Sequence, residues 1–454
     1  MDIWIVIIFL GFLLFYGIYQ GFRVKNSSDF ATGGGGRGLF VVFASLSAAF
    51  IGGGFSTGNA ARCYESGIAN SVGLFGFSAA QMLIGAVVMR RARLPENAQS
   101  PGEIAGAYYG RGARVTSGVC AALLAIGLIG AQVAAIGSIF SALLGVSYTA
   151  GVLIGFSIVM VYATAGGMSA IITAEVVEFC LLAVGIPVLA FFSIKHAGGL
   201  ETMLMSLPDG FLDPTSGGVV PLVALFLTMF IGEALSPTYL QRMLTGRDRR
   251  TMARATTLSG LLSIPIFCLT GVVGLAAAVS LGNIEPSQAM PSMVLAALPV
   301  GLKGVVITSM LAIVMSSADG LLSSASIAIA NDIISPLKRK PMKPKSLLRA
   351  MRLSSLAVGA LGMALALGTS DVFSLLVLAY AAWAPVMLVP LAAAMLGVKA
   401  GARTFFASAI FGAATAVAFG VMVGGDYGGA LAGTAVSLLI FVVGQRLEGR
   451  TLRS

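Results

Sequence analysis

An apolar run from Leu311 to Asp332, LAIVMSSADGLLSSASIAIAND, is long enough to cross a bilayer yet carries Ser316, Ser317, Asp319, Ser323, Ser324 and Ser326. At helical spacing Ser316, Asp319, Ser323 and Ser326 share one face. Hydroxyls and a carboxylate at membrane depth are costly unless they meet partners, water or an ion. Serine alone also serves close helix packing. With an aspartate among the serines, the group reads as a small-ion site at a helix interface.

Composition sets the class of element that must hold these residues. The chain has 454 residues, 57% hydrophobic and 10% charged, with a mean hydropathy of +0.95. Soluble domains carry about 25% charged residues, so this is a polytopic membrane protein. Cys63, Cys120, Cys180 and Cys268 lie in or beside apolar runs without CxxC pairing, as packing residues do. His196, the one histidine, cannot build a zinc cluster alone. With no nucleophile–base pair and no metal-ligand cluster, the chain is not expected to be an enzyme.

A spanning helix needs about 20 mostly apolar residues. The first candidate is 3–21, followed by Arg23 and Lys25. A cleaved signal has its positive charge in front, so this is expected to be an uncleaved helix with its N-terminus outside. Further spans are expected at 39–62, 68–90, 113–145, 148–165, 171–194, 219–243, 254–281, 299–333, 349–369, 371–397, 403–423 and 427–446. With that orientation every second loop should be cytoplasmic and basic. Those loops and the span ends beside them collect all of the 28 Lys and Arg except Arg62, Lys195 and Lys303, and the count includes Arg242 at the end of the seventh span. The net charge of +10 is therefore topology, and nucleic acid is not an expected partner.

Two spans are interrupted. The second holds Gly52-Gly53-Gly54, and the seventh reads FIGEALSPTYLQRM, with Gly232, Glu233, Ser236 and Pro237 inside the membrane. Glycine and proline break the hydrogen-bond ladder and free carbonyls and N–H groups for a ligand. The breaks are five spans apart, so each opens one five-helix half. Paired interruptions in two halves point to a transporter's midplane site, and an odd number of helices per half inverts the repeats. The expected divisions are 1–37 (extra helix and loop), 38–194 and 195–397 (the two repeats), and 398–454 (two further helices and a short tail).

Glu175 and Glu178 follow Gly166-Gly167 and are either acids favoured by a helix N-terminus or, for Glu175 above all, part of a cation path. Glu233 in a broken helix is a functional candidate by default. Gln81 and Gln132 lie mid-helix, open between interhelical bonding and substrate contact. Tyr380 and Trp383 are more often packing residues than a cation-binding wall.

Most of the chain resembles the sodium:solute symporter family. The similar stretches are SSDFATGGGGRGL, GNAARCYESGI, AGGMSAIITAEVVEF, LQRMLTGRD and VMSSADGLLSSASIAIANDI. The resemblance implies an all-α polytopic membrane protein of about 13 transmembrane helices, with a LeuT-type 5+5 inverted-repeat core and broken helices 2 and 7. It implies secondary active uptake of a small organic solute, with Na+ as the coupling ion. By position, the carbonyls of Ala48, Ile51 and Ile313 and the hydroxyls of Ser316 and Ser317 would bind sodium. Hard cations take oxygen ligands, and carbonyls add no net charge. The aspartate the family often places at the start of helix 6 is Glu175 here. Where some members bind a second sodium through further serines, this chain has Asp319 and Gly320.

The solute would sit against both breaks, with Gly53, Phe55, Ser56, Gln81, Glu233, Tyr239, Tyr380 and Trp383 as candidates. IGGGFSTGNA is similar to choline-transporting members, and Glu233 could pair with a cation, but the seventh span lacks a tryptophan for an aromatic cage. A quaternary ammonium, a zwitterion and a carboxylate all stay open. The alternatives are proton coupling through Asp319 or Glu175, and a membrane sensor subunit, which would need a partner because no catalytic domain follows the last span before Ser454. The expected location is the cell membrane, with the lipid bilayer as partner, the C-terminus cytoplasmic and no obligate protein partner evident.

Overall fold

Lipid offers no hydrogen-bond partner to bare backbone, so apolar stretches of this length satisfy their N–H and C=O groups internally as helices. The computed structural model describes residues 2–96, 98–338, 340–368, 383–423 and 428–451. Among the described residues nine helices are long and apolar enough to cross a membrane. Val219–Gly232 and Pro237–Leu244, bent by 49° across their break, make a tenth span together. Residues 371–382 of the predicted eleventh span lie outside the described residues, and the count of thirteen is not established.

Most predicted spans reappear with ends shifted by a few residues: Asp2–Gly21, Ala69–Met89, Arg111–Leu144, Arg249–Ser280, Leu302–Leu337, Pro344–Gly368, Ala402–Val423 and Gly428–Thr451. The predicted spans 148–165 and 171–194 are two legs of one 49-residue segment, Tyr148–His196. At 1.5 Å per residue it is about 70 Å long, more than two bilayer cores of about 30 Å. Gly167 divides it with φ 55° and ψ −153°. Only glycine adopts such backbone readily, and a Cβ there would also lie 2.8 Å from the Phe30 carbonyl oxygen. The second predicted span is likewise divided, into Leu39–Phe50 and Thr57–Ser66 with residues 51–56 between.

The serine-rich helix is the centre of the molecule. In its most apolar window 94% of residues are buried, against 28% for Asp2–Gly21 and 22% for Gly428–Glu448, which places the terminal helices at the periphery. Elsewhere backbones approach closely: a Cβ on Gly76 would lie 1.9 Å from the Phe226 carbonyl oxygen, and one on Gly274 2.1 Å from that of Ala60. Small residues at such crossings are what lets membrane helices gain packing energy where lipid gives no hydrophobic drive.

Contacts at the helix ends join segments that the basic-loop pattern assigns to one side. At one end Arg37 forms a β-bridge with Gly246, Ser169 Oγ donates to the Gly33 carbonyl at 3.3 Å, and Arg352 Nη2 donates to the Ala165 carbonyl at 3.0 Å. There too Arg114 pairs with Asp332 at 3.2 Å and with Glu103 at 3.0 Å. At the other end Asp2 Oδ1 accepts from the Gly301 and Gly304 N–H groups at 2.7 and 3.0 Å. Tyr64 donates to the Gly282 carbonyl at 2.7 Å, and Tyr148 to that of Ala366 at 2.9 Å. One predicted loop charge departs from this scheme. Arg242 is fully buried inside the protein rather than in the loop.

Candidate functional site

The first break is built by its glycines. Leu39–Phe50 ends at Ile51, whose φ of −102° and ψ of 76° turn its carbonyl out of helical register. Ser56 Oγ donates to the Gly52 carbonyl at 2.9 Å, and the Gly53 N–H donates to Gln132 Oε1 at 3.3 Å. A Cβ on Gly52 would lie 2.7 Å from Ser317 Oγ, so the missing side chain is what lets the serine helix reach the break. Ser316 Oγ lies 3.0 Å from both the Ala48 and the Ile313 carbonyl oxygens, and Ser317 Oγ lies 3.4 Å from that of Ile313. Ala48, Ile313, Ser316 and Ser317 therefore come together, Ile51 stands at the break beside Gly52, and all five are buried. Such neutral oxygens converging within the core suit a hard cation held without added charge.

The second break runs through Glu233, Ala234, Leu235 and Ser236. Leu235 has φ 55°, and among the described residues no other non-glycine has a positive φ. Such a backbone costs an L-residue about 1–2 kcal/mol and is a common feature of functional sites. Trp383 Nε1 donates to the Ala234 carbonyl at 3.3 Å, which sets the indole against this break. Tyr239 donates to Glu233. The Tyr239 ring stands 4.8 Å from Phe50 and 5.8 Å from Phe77, and Phe55 stands 4.9 Å from Phe77 and 5.5 Å from Phe267. An aromatic wall thus joins the two breaks, with one carboxylate at its edge.

Of the predicted substrate residues, Gly53, Phe55, Ser56, Glu233, Tyr239 and Trp383 gather at the two breaks. Tyr380 lies outside the described residues. Gln81 is buried beside Gly260, and neither of its amide atoms has a partner among the described residues. Phe77 and Phe267 escaped the sequence reading, although Phe77 precedes Gln81 by one helical turn and so shares its face.

A buried charge cluster lies one turn further along the serine helix. Arg242 donates through Nε to Glu175 Oε1 at 2.7 Å and through Nη2 to the same oxygen, while its Nη2 lies 3.7 Å from Asp319 Oδ1. Tyr162 donates to Asp319 Oδ2 at 2.6 Å, and Ser45 donates to Glu175. Glu175 and Glu178 come two to three turns after Gly167, beyond the first turn where a helix dipole acts, so the helix-opening role does not hold for either. Neither oxygen of Glu178 has a partner among the described residues. Arg242 was legible only as a loop charge. Its signal was its place among Leu240, Met243 and Leu244 in the half-helix that follows the break.

Comparison with known proteins accords with this architecture. The chain is 28% identical over 390 residues to the uncharacterized symporter YwcA of Bacillus subtilis, covering 79% of this chain and 73% of that one. It is 23% identical to the human high affinity choline transporter 1, with 82% and 68% covered. It is 24% identical to the sodium/proline symporter of Haemophilus influenzae, with 87% and 85% covered. Its fold matches a Na+-coupled sialic acid symporter with a TM-score of 0.88 at 17% identity, over 98% of this chain and 97% of that one. It also matches the nucleobase-cation-symport-1 transporter Mhp1 with a TM-score of 0.66 at 15% identity, over 94% and 96%. Residues 30–412 match the model of the sodium:solute symporter family, and with nearly the whole fold and both breaks in place, the chain belongs to that family: a multi-pass membrane transporter rather than an enzyme.

Proposed function

We propose that this transporter is a sodium-coupled symporter that imports a small organic solute by alternating access. The observation that carries the reading is the meeting of the serine helix with the first broken span, where the Ser316 hydroxyl reaches the Ala48 carbonyl and Ser317 packs against Gly52. Sodium would be held by the carbonyls of Ala48, Ile51 and Ile313 and the two hydroxyls, and would bind the broken span to the serine helix. The site residues come from both predicted repeats, 38–194 and 195–397, so ion binding would fix the repeats relative to each other. On leaving toward the basic loops the ion would pass Glu175 and Asp319. Proton coupling through those two is less well supported, because Arg242 and Tyr162 already engage them.

The solute would lie between the breaks, against Gly53, Phe55, Ser56, Tyr239 and Trp383. A carboxylate beside an aromatic wall favours a positively charged nitrogen, through ion pairing and cation–π attraction. Relatives named for choline and for proline, each with such a nitrogen, support that class. The charge bias of the loops supports an outside N-terminus and a cytoplasmic C-terminus in the cell membrane. Purified protein in proteoliposomes with an inward sodium gradient provides the test, with currents recorded while amino, ammonium and carboxylate solutes are added singly. A solute-evoked inward current that needs sodium is the expected result. Solute uptake of equal rate in sodium and in potassium would overturn the reading.

A further inference from the structure

An arginine with no exposed surface is costly anywhere, and more so in the interior of a membrane protein. The surroundings of Arg242 are built to receive it. Nε and Nη2 donate to Glu175, Nη1 donates to the Thr238 carbonyl at 2.7 Å, and Asp319 closes the other side at 3.7 Å. The guanidinium rests on Gly320. A Cβ at that position would lie 2.1 Å from Nη2 and 2.7 Å from Cζ, so the space the guanidinium fills is the space a side chain on Gly320 would take. Hydroxyls complete the ring: Ser45 donates to Glu175 and Tyr162 to Asp319. Asp319 and Gly320 come one helical turn after Ser316 and Ser317.

Two enclosed carboxylates with hydroxyls around them make an oxygen-lined site that demands positive charge. Beside a path for small cations, a soluble ion would meet that demand. Here a covalently attached one does. We propose that the Arg242 guanidinium is a tethered cation standing where a second soluble cation would otherwise bind, so that the protein carries a single sodium ion. A guanidinium stays charged at any physiological pH, and being tethered it adds nothing to ion flux. The proposal rests on the sodium-coupled reading above and deepens it by setting the number of ions.

Equilibrium binding of radioactive sodium to the purified full-length protein tests this without knowledge of the solute. One ion per chain is expected for the wild type. Arg242→Gln, which leaves Glu175 and Asp319 without their cation, is expected to bind two, with the Hill coefficient for sodium rising from about 1 toward 2. The double variant Glu175→Gln/Arg242→Gln removes one charge of each sign and is expected to return to one. Two ions bound by the wild type would overturn the proposal, as would a folded Arg242→Gln that binds one with unchanged affinity. If Arg242→Gln does not fold, the wild-type count still decides the matter. No saturable sodium binding by the wild type would instead overturn the sodium-coupled reading itself.

Discussion

Ser316 is placed so that its hydroxyl reaches two carbonyls on different helices, and that double reach is the most specific chemistry in the chain. If these oxygens hold sodium, Ser316→Ala with Ser317→Ala removes two of five ligands. The sodium concentration for half-maximal transport should then rise at least about tenfold, equal to about 1.4 kcal/mol of ion affinity. Unchanged sodium dependence in a well-folded double variant would contradict the site. Glu233 tests the solute class. Glu233→Gln keeps the shape and a hydrogen-bond acceptor for Tyr239 while removing the charge, so it should weaken an amino- or ammonium-bearing solute by about tenfold or more. An anionic solute should lose far less, and competition assays with both would show the difference. Equal loss for both would leave Glu233 with a structural role only.

The two broken spans do their work because their neighbours let them come close. Gly76→Ala would set a methyl group 1.9 Å from the Phe226 carbonyl carried by the first half of the seventh span. Such overpacking costs about 1–3 kcal/mol, so the purified variant should melt at a lower temperature than wild type. An unchanged melting temperature would mean that this crossing is looser than the structure has it. Both breaks were legible in advance, since a glycine triplet and a Gly-Glu…Ser-Pro run leave few ways to continue a helix. The serine face was legible too, because hydroxyls in a 3.6-residue pattern stand out against apolar neighbours. What joins distant elements was not. Nothing local to Arg242 says that its partners lie on two other helices, and Phe267 belongs to the aromatic wall only through the packing of Arg249–Ser280 against Phe55 at the first break and against Phe77. The merged segment Tyr148–His196 was hidden for a related reason, since Gly166-Gly167 reads equally well as a loop or as a kink.

At the scale of the whole molecule, burial and charge divide the chain in the same way. The serine-rich helix is enclosed, the terminal helices lie outside it, and loops of like predicted side touch each other at each end. Absolute orientation follows from the basic loops, and single cysteines in a background with the four native ones replaced would check it. Ser216→Cys should react with a membrane-impermeant maleimide in intact cells, and Lys340→Cys should react only after the membrane is opened. The reverse pattern would invert the orientation. The measurement that bears most directly on the account is the melting temperature of the purified protein in sodium against potassium at constant ionic strength, then with amino and ammonium solutes added. An ion bound only by the folded state stabilises it by mass action, by about 2.7 kcal/mol at a hundred times its dissociation constant. A rise specific to sodium, enlarged by one class of solute and absent from the Ser316→Ala/Ser317→Ala variant, is the expected result. Identical melting in sodium and potassium, with and without solute, would contradict sodium coupling.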